Sequence, residues 1–208
     1  MKKMSNLTYE YTDLRSRLET IEWDNAWIEH SENHTAARIL HIGDSISVGT
    51  RHIGTRVGAG KVLFDNFGTS KAVDNPYFKD AVRLFAAQIE KRNAVIFNNG
   101  LHGWHLDDTT EYPEYYEDIV KFLIDNFKGT PVYIVLTTHV RDNERDERVK
   151  KRNEAATAIA NKYGLGIIDL YSASASDPDF LSGDGVHLTD DGYTALAKTI
   201  IESVKEHL

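Results

Sequence analysis

The chain contains no cysteine. That excludes disulfides, thiolate nucleophiles and cysteine-ligated zinc, and nothing in it asks for an oxidising compartment. No apolar run approaches the ~20 residues a membrane-spanning helix requires. The first residues, MKKMSNLTYEYTDLRS, hold two lysines with no apolar core behind them, unlike a secretory signal. Basic residues are outnumbered, 24 Lys and Arg against 32 Asp and Glu, for a formal charge of −8. Such a balance suits a phosphate backbone poorly, because that contact needs concentrated Lys and Arg. Internal repeats and low-complexity tracts are missing too. The expectation left by these absences is a cytoplasmic protein with no nucleic-acid and no membrane partner. A processed secreted form has the same composition, and oligomeric state leaves no mark in it.

What is present is 208 residues, 41% of them hydrophobic, enough for one domain with a full core. Five short runs rich in Val, Ile, Leu and Phe read as strands: Arg38–Ile42, Lys61–Asn66, Ala94–Asn98, Val132–Thr137 and Gly166–Leu170. They do not alternate cleanly with polar residues, which is the pattern of parallel strands covered on both faces. Helical spacing follows in Pro76–Lys91, Pro113–Phe127, Arg145–Tyr163 and Thr189–Leu208. Alternation of this kind predicts an α/β domain: a flavodoxin-like, five-stranded parallel sheet in three layers, with helices on both faces. It should span residues 37–208. Residues 1–36, with a candidate helix over Tyr9–Leu18 and a Trp-rich piece at Trp23–Trp27, read as an extension packed on it. Ligands of such sheets bind beyond the carboxyl ends of the strands.

Those strand ends hold the chemistry. Gly43-Asp44-Ser45 follows the first run, in HIGDSISVG. Taken alone, Ser45 is a helix N-cap, for which serine is a preferred residue. It is not in a Gly-x-Ser-x-Gly elbow, because Ser47 stands where the second glycine belongs. A serine hydroxyl becomes a nucleophile only with a base in reach and a group that orients the base. GDGVHLTDDG supplies both types near the C-terminus, Asp184 and His187. Gly68, after the second run, allows close backbone approach and a donated N–H. Asn98, Asn99 and His102 end the third run, where a developing oxyanion needs preorganised donors.

These residues resemble the SGNH (GDSL-type) hydrolases. That family carries Gly-Asp-Ser, a glycine after the second strand, Gly-x-Asn-Asp after the third, and Asp-x-x-His near the C-terminus. Gly43-Asp44-Ser45, Gly68 and Asp184-Gly185-Val186-His187 match in order over about residues 38–207. The third block departs. Aligned on Gly100, His102 replaces the family asparagine and Gly103 its aspartate, similar to a branch with Asn-x-Gly-Leu-His in this place. The resemblance implies a serine esterase with Ser45 as nucleophile, His187 as base and Asp184 as its orienting acid. Asp44 would hold the turn. The backbone N–H groups of Ser45 and Gly68, with His102 or else Asn98, would form the oxyanion hole. Neither a metal nor an organic cofactor is needed for that chemistry.

Rival patterns are weaker. Gly58–Lys61 fails the phosphate-loop pattern at Thr55 and Val62, and the dinucleotide pattern at Leu63. His102-x-x-His105 offers two zinc-type ligands with no third at a useful spacing. Trp104, His139 and Arg141 are candidates for substrate contact, Trp104 as a sugar-stacking platform or a hydrophobic plug. Arg141–Glu154 reads as a solvated helix entry laced with i,i+4 pairs. The expected substrate is a short-chain, acetyl-type ester of a carbohydrate or other small molecule. The alternatives are a lipase- or thioesterase-type hydrolase, or a catalytically weak carbohydrate-binding protein on the same fold.

Overall fold

The computed structural model describes residues 18–89 and 91–208. The helix expected over residues 9–18 lies outside these, Leu18 excepted. A central sheet is formed by β1 (Asp24–Trp27), β2 (Ala37–Gly43), β3 (Val62–Thr69), β4 (Ala94–Phe97), β5 (Val132–Val135) and β6 (Gly166–Ile168). Its order is β1-β3-β2-β4-β5-β6. The five expected strands are there and parallel to one another. The sheet has a sixth, β1, which runs antiparallel along the β3 edge. Its sequence, DNAW, has no apolar run, because three of its four residues are exposed. It is bound through backbone pairing, which leaves no trace in hydrophobicity. Phe67 and Gly68 pair with β2 as well as with β1, and Thr69 with β1 alone, so all three belong to the strand and not to a following loop.

Among the described residues five α-helices lie between strands, α1 (Ser45–Val57), α2 (Phe78–Ala86), α3 (His105–Thr109), α4 (Tyr112–Asn126) and α5 (Asn143–Tyr163), and two follow β6, α6 (Leu170–Ala175) and α7 (Asp190–Val204). Period-two alternation splits each strand between two cores. Leu40, Ile42, Val95 and Phe97 face α2, α4 and the end of α5, where Phe78, Tyr116, Ile119, Leu123 and Ala160 are buried. Ile39, Phe64, Ala94 and Ile96 face α1 and α7, meeting Ile46, Ile53, Leu196 and Ile200. With both faces covered, the strands read as continuous apolar runs. Among the described residues no helix is long and apolar enough to cross a membrane.

Arg38 is buried in β2, where its guanidinium meets Asp65 at 2.8 Å and the carbonyls of Glu29, His30 and Asn33. It thereby fastens the segment that leads from β1 into β2. On the α1 and α7 side, Gly49 lets the two helices touch. A Cβ there would lie 2.2 Å from the Tyr193 ring, closer than any side chain allows. Since α1 begins at Ser45 and α7 begins three residues after His187, this contact sets the separation of Ser45 and His187.

Candidate active site

β2 ends at Gly43, and the chain turns at once into α1. Asp44, not Ser45, is the N-cap: its Oδ1 accepts the Ile46 N–H at 2.9 Å. Ser45 is therefore the first helical residue, with its hydroxyl free for other work. Asp44 is fully buried, and its other oxygen, Oδ2, has no hydrogen-bond partner. Burial pushes its carboxyl up from the ordinary range, while the imidazoles of His102 and His187 pull the other way. The turn is locked from below. Ser47 Oγ donates to the Asp44 carbonyl at 2.7 Å and accepts from Asn66 Nδ2 at 2.7 Å.

The Asp184–His187 loop lies against this turn. Ser45 Oγ and His187 Nε2 are 2.8 Å apart, and His187 Nδ1 stands 2.6 Å from Asp184 Oδ2. An ionised carboxylate at Nδ1 requires the proton there, so neutral His187 presents a bare Nε2 to the serine hydroxyl. Asp184 Oδ1 accepts from the backbone N–H groups of Val186 and His187 and from the Ser182 hydroxyl, at 2.8–2.9 Å. The His187 contact first, then these donors, hold the Asp184 carboxyl well below the usual carboxylate range. The loop is open to solvent, with the His187 side chain 44% and the Asp184 side chain 53% exposed.

Gly68 sits inside β3, opposite Gly43 on β2 and Asn25 on β1. A Cβ there would fall 2.3 Å from Val48 Cγ2 and 3.2 Å from the Asp44 carbonyl, so only glycine lets β3 come this close to the start of α1. The third-strand end divides differently from expectation. Both N–H bonds of the Asn98 amide are taken, by the Val135 carbonyl at 3.1 Å and Thr137 Oγ1 at 2.9 Å. Asn98 therefore ties β4 to the end of β5 and has no donor left for an oxyanion. Asn99 spends one amide N–H on the Lys71 carbonyl, at 2.8 Å. His102 remains, one-fifth exposed and close enough to Asp44 to act on its charge.

The three substrate candidates fare unequally. The Trp104 ring packs against the guanidiniums of Arg152 and Arg148, 4.3 and 4.7 Å from its centroid, so its stacking surface is largely used within the protein. Arg141 donates to the carbonyls of Ser182 and Gly183, and its backbone N–H to Gly185. It holds the acid–base loop instead of reaching for substrate. His139 Nδ1 is 2.8 Å from Asp146 Oδ1 in a partly exposed pair on the same sheet edge. Burial pushes the Asp146 carboxyl up, but hydrogen bonds led by Tyr171 outweigh this and leave it lowered.

The segment read as a solvated helix entry is mostly exposed, but Asp146, Val149, Arg152 and Asn153 within it are buried. Arg152 is 3% exposed. Its guanidinium lies between the Trp104 and Tyr112 rings and donates to Asp107 and to the carbonyls of Gly100, His102 and Gly103. The loop that carries His102 is thus wrapped around one buried cation. The sequence signal for this is the buried face of α5 traced backwards: Ala160, Ala156, Arg152 and Val149, spaced by four, four and three, are all buried. The densely charged composition hides it.

Gly58–Lys61 turns the chain from α1 into β3. His102 faces Glu19 and His105 faces Asp74, and among the described residues no three His, Cys, Asp or Glu side chains gather as metal ligands.

No family model matches the chain. It is 27% identical over 169 residues to the O-acetyltransferase OatA of Staphylococcus aureus, across 81% of this chain. It spans about a quarter of the length of the curated relatives it matches, 25% of that protein. A lipase/acylhydrolase from Enterococcus faecalis superposes with a TM-score of 0.67 at 21% identity, covering 82% of this chain and 96% of that one. The C-terminal catalytic domain of the Streptococcus pneumoniae peptidoglycan O-acetyltransferase A, solved with a methylsulfonyl adduct, gives 0.62 at 17% identity over 83% and 95%. The fold is that of the SGNH (GDSL-type) hydrolases.

Proposed function

We propose that the protein is a serine esterase that removes short acyl groups, acetyl above all, from carbohydrate or other small-molecule esters. The observation that carries this is the unbroken line from Ser45 Oγ through His187 to Asp184, at 2.8 and 2.6 Å. In the first half-reaction Ser45 Oγ attacks the ester carbonyl while its proton passes to His187 Nε2. Asp184 stabilises the resulting imidazolium. The tetrahedral oxyanion is held by the Ser45 N–H and by His102, the Gly68 N–H being turned toward β1 in the sheet, and it collapses as the alcohol leaves with the proton from His187. Water then repeats the sequence on the acyl-serine, releasing acid and free Ser45. Exposure of His187 and Asp184 supports a bulky, hydrated alcohol part, since the nucleophile is reached from the surface.

A second reading has its own support, the 27% identity to an O-acetyltransferase. The acyl-enzyme is common to both, and they differ in whether water or a sugar hydroxyl takes the acyl group. A series of p-nitrophenyl esters, run with and without an oligosaccharide acceptor, tests them together. Acetate should turn over fastest, and Ser45→Ala should lose about 10⁴–10⁶ in kcat. Wild-type turnover by that variant would remove the serine mechanism. A preference for long chains would overturn the short-acyl reading, and acetylated saccharide as the main product would favour transfer over hydrolysis.

A further inference from the structure

Ser45 follows the end of β2, in the middle of the sheet. His187 reaches it from one side. The loop of His187 is tied to the chain beyond β5, where the Arg141 N–H donates to the Gly185 carbonyl at 2.8 Å. In the order β1-β3-β2-β4-β5-β6, β5 lies two strands from β2. Two strands away on the other side is β1, and Trp23 immediately precedes it. The Trp23 backbone is fixed to the end of β3: its N–H donates to Ser70 Oγ at 2.8 Å, and its carbonyl accepts the Ser70 N–H at 3.1 Å. Its ring is half-buried and meets the His102 ring edge-on, with centroids 6.2 Å apart. The His102 loop is fastened to the same N-terminal segment, the Gly103 N–H donating to Glu19 Oε1 at 2.7 Å.

We propose that Trp23 is a specificity-determining residue that closes the acyl side of the site and, with Val48, limits the acyl group to acetyl. The inference rests on the esterase reading above. The three other groups on the tetrahedral carbon must go to different places. The oxyanion faces the Ser45 N–H and His102. The alcohol takes its proton from His187 and so leaves on the β5 side, where that loop is open to solvent. The acyl group is left with the side of β3 and β1. Two apolar side chains stand there. Val48 is one helical turn after Ser45, on the same face of α1, and its Cγ2 lies against Gly68 in β3. Trp23 is on the next strand out and turns the same way. Asn25 and Trp27, at alternate positions after it, face α1 and meet Arg51 and His52 there. An indole is large and rigid, and this one is pinned through its backbone to a sheet, so a longer acyl chain meets a fixed stop.

The test compares kcat/KM on p-nitrophenyl acetate and p-nitrophenyl butyrate. The wild type should favour acetate. Trp23→Ala should raise the butyrate-to-acetate ratio about tenfold, because it makes room for two more methylenes. Trp23→Phe, a smaller ring on the same backbone, should raise it about threefold, and this variant decides the matter if Trp23→Ala does not fold. A merely structural role would lower both esters together, so an unchanged ratio overturns the inference. Trp27→Ala is the control, an exposed ring on the same edge strand, and should keep the wild-type ratio. An equal shift in that variant would trace the effect to the strand instead of the Trp23 ring and would overturn the inference as well. If Ser45→Ala is inactive and the wild type prefers acetate while the ratio stays fixed, only the role of Trp23 is lost. Full turnover by Ser45→Ala would remove the underlying esterase reading.

Discussion

Two loops border the Gly43–Asp44–Ser45 turn, and His187 on one and His102 on the other both act on the Asp44 carboxyl. The loop from Ser182 to His187 is exposed and, apart from the Arg141 clamp, holds itself: one carboxylate, Asp184, gathers a hydroxyl, two backbone N–H groups and an imidazole from the five residues around it. The loop from Gly100 to Gly103 has almost no such local bonding. It is held from α5 by Arg152 and from the N-terminal segment by Glu19, partners 49 to 52 and 84 positions away in sequence. Local hydrogen bonding fixes geometry without burial, so the first loop can stay open to solvent and substrate. The second needs a buried cation, and its geometry is coupled to the packing of the whole face.

Three substitutions probe that contrast, in falling order of effect. Asp184→Asn should cost about 10⁴ in kcat with little change in stability, because it disturbs the His187 tautomer in a loop that the core does not support. In the parent protein Asp184 stays charged across the working range, its carboxyl lying well below the usual values. Asp184 should therefore add no step of its own to the acid side of the kcat/KM profile; a fall steeper than one proton would show that it does. Arg152→Met should lower stability by about 3 kcal/mol in denaturant unfolding, as expected when one partner of a buried ion pair is removed. A change under about 0.5 kcal/mol would show that the Gly100–Gly103 loop stands without its cation. Arg141→Ala removes an exposed clamp on the self-held loop. Stability should move by less than about 0.5 kcal/mol, and kcat/KM should fall no more than about tenfold, through displacement of Asp184. A loss as large as that of Asp184→Asn would mean that this loop, too, depends on distant support.

The same contrast explains which features are legible in the sequence. The five parallel strands are visible because burial on both faces makes a strand uniformly apolar. β1 is not, because DNAW pairs through its backbone and keeps most side chains in water. Ser45, Asp184 and His187 can be picked out because their residue types at strand ends have few other uses together. Arg152 and Asp107 cannot, since a charged residue in a charged run looks solvated until the fold shows what covers it. Asn98 misleads for the opposite reason: a polar residue at a strand end suggests a ligand edge, and here its donors are used to join β4 to β5.

By itself, the sequence determined the α/β layering, through apolar runs alternating with helical periods, and the Asp184–His187 unit, whose partners are three residues apart. Both are short-range properties, and short-range chemistry survives in one dimension. Only the tertiary structure decided that Asp44 caps α1 and leaves the Ser45 hydroxyl to His187, 142 residues away. It also decided that Arg152 is core, and that a glutamate from before the first strand reaches His102. These are contacts between distant segments. Their existence depends on close approaches such as Gly49 against Tyr193 and Gly68 against Val48, which a linear pattern of residue types does not encode.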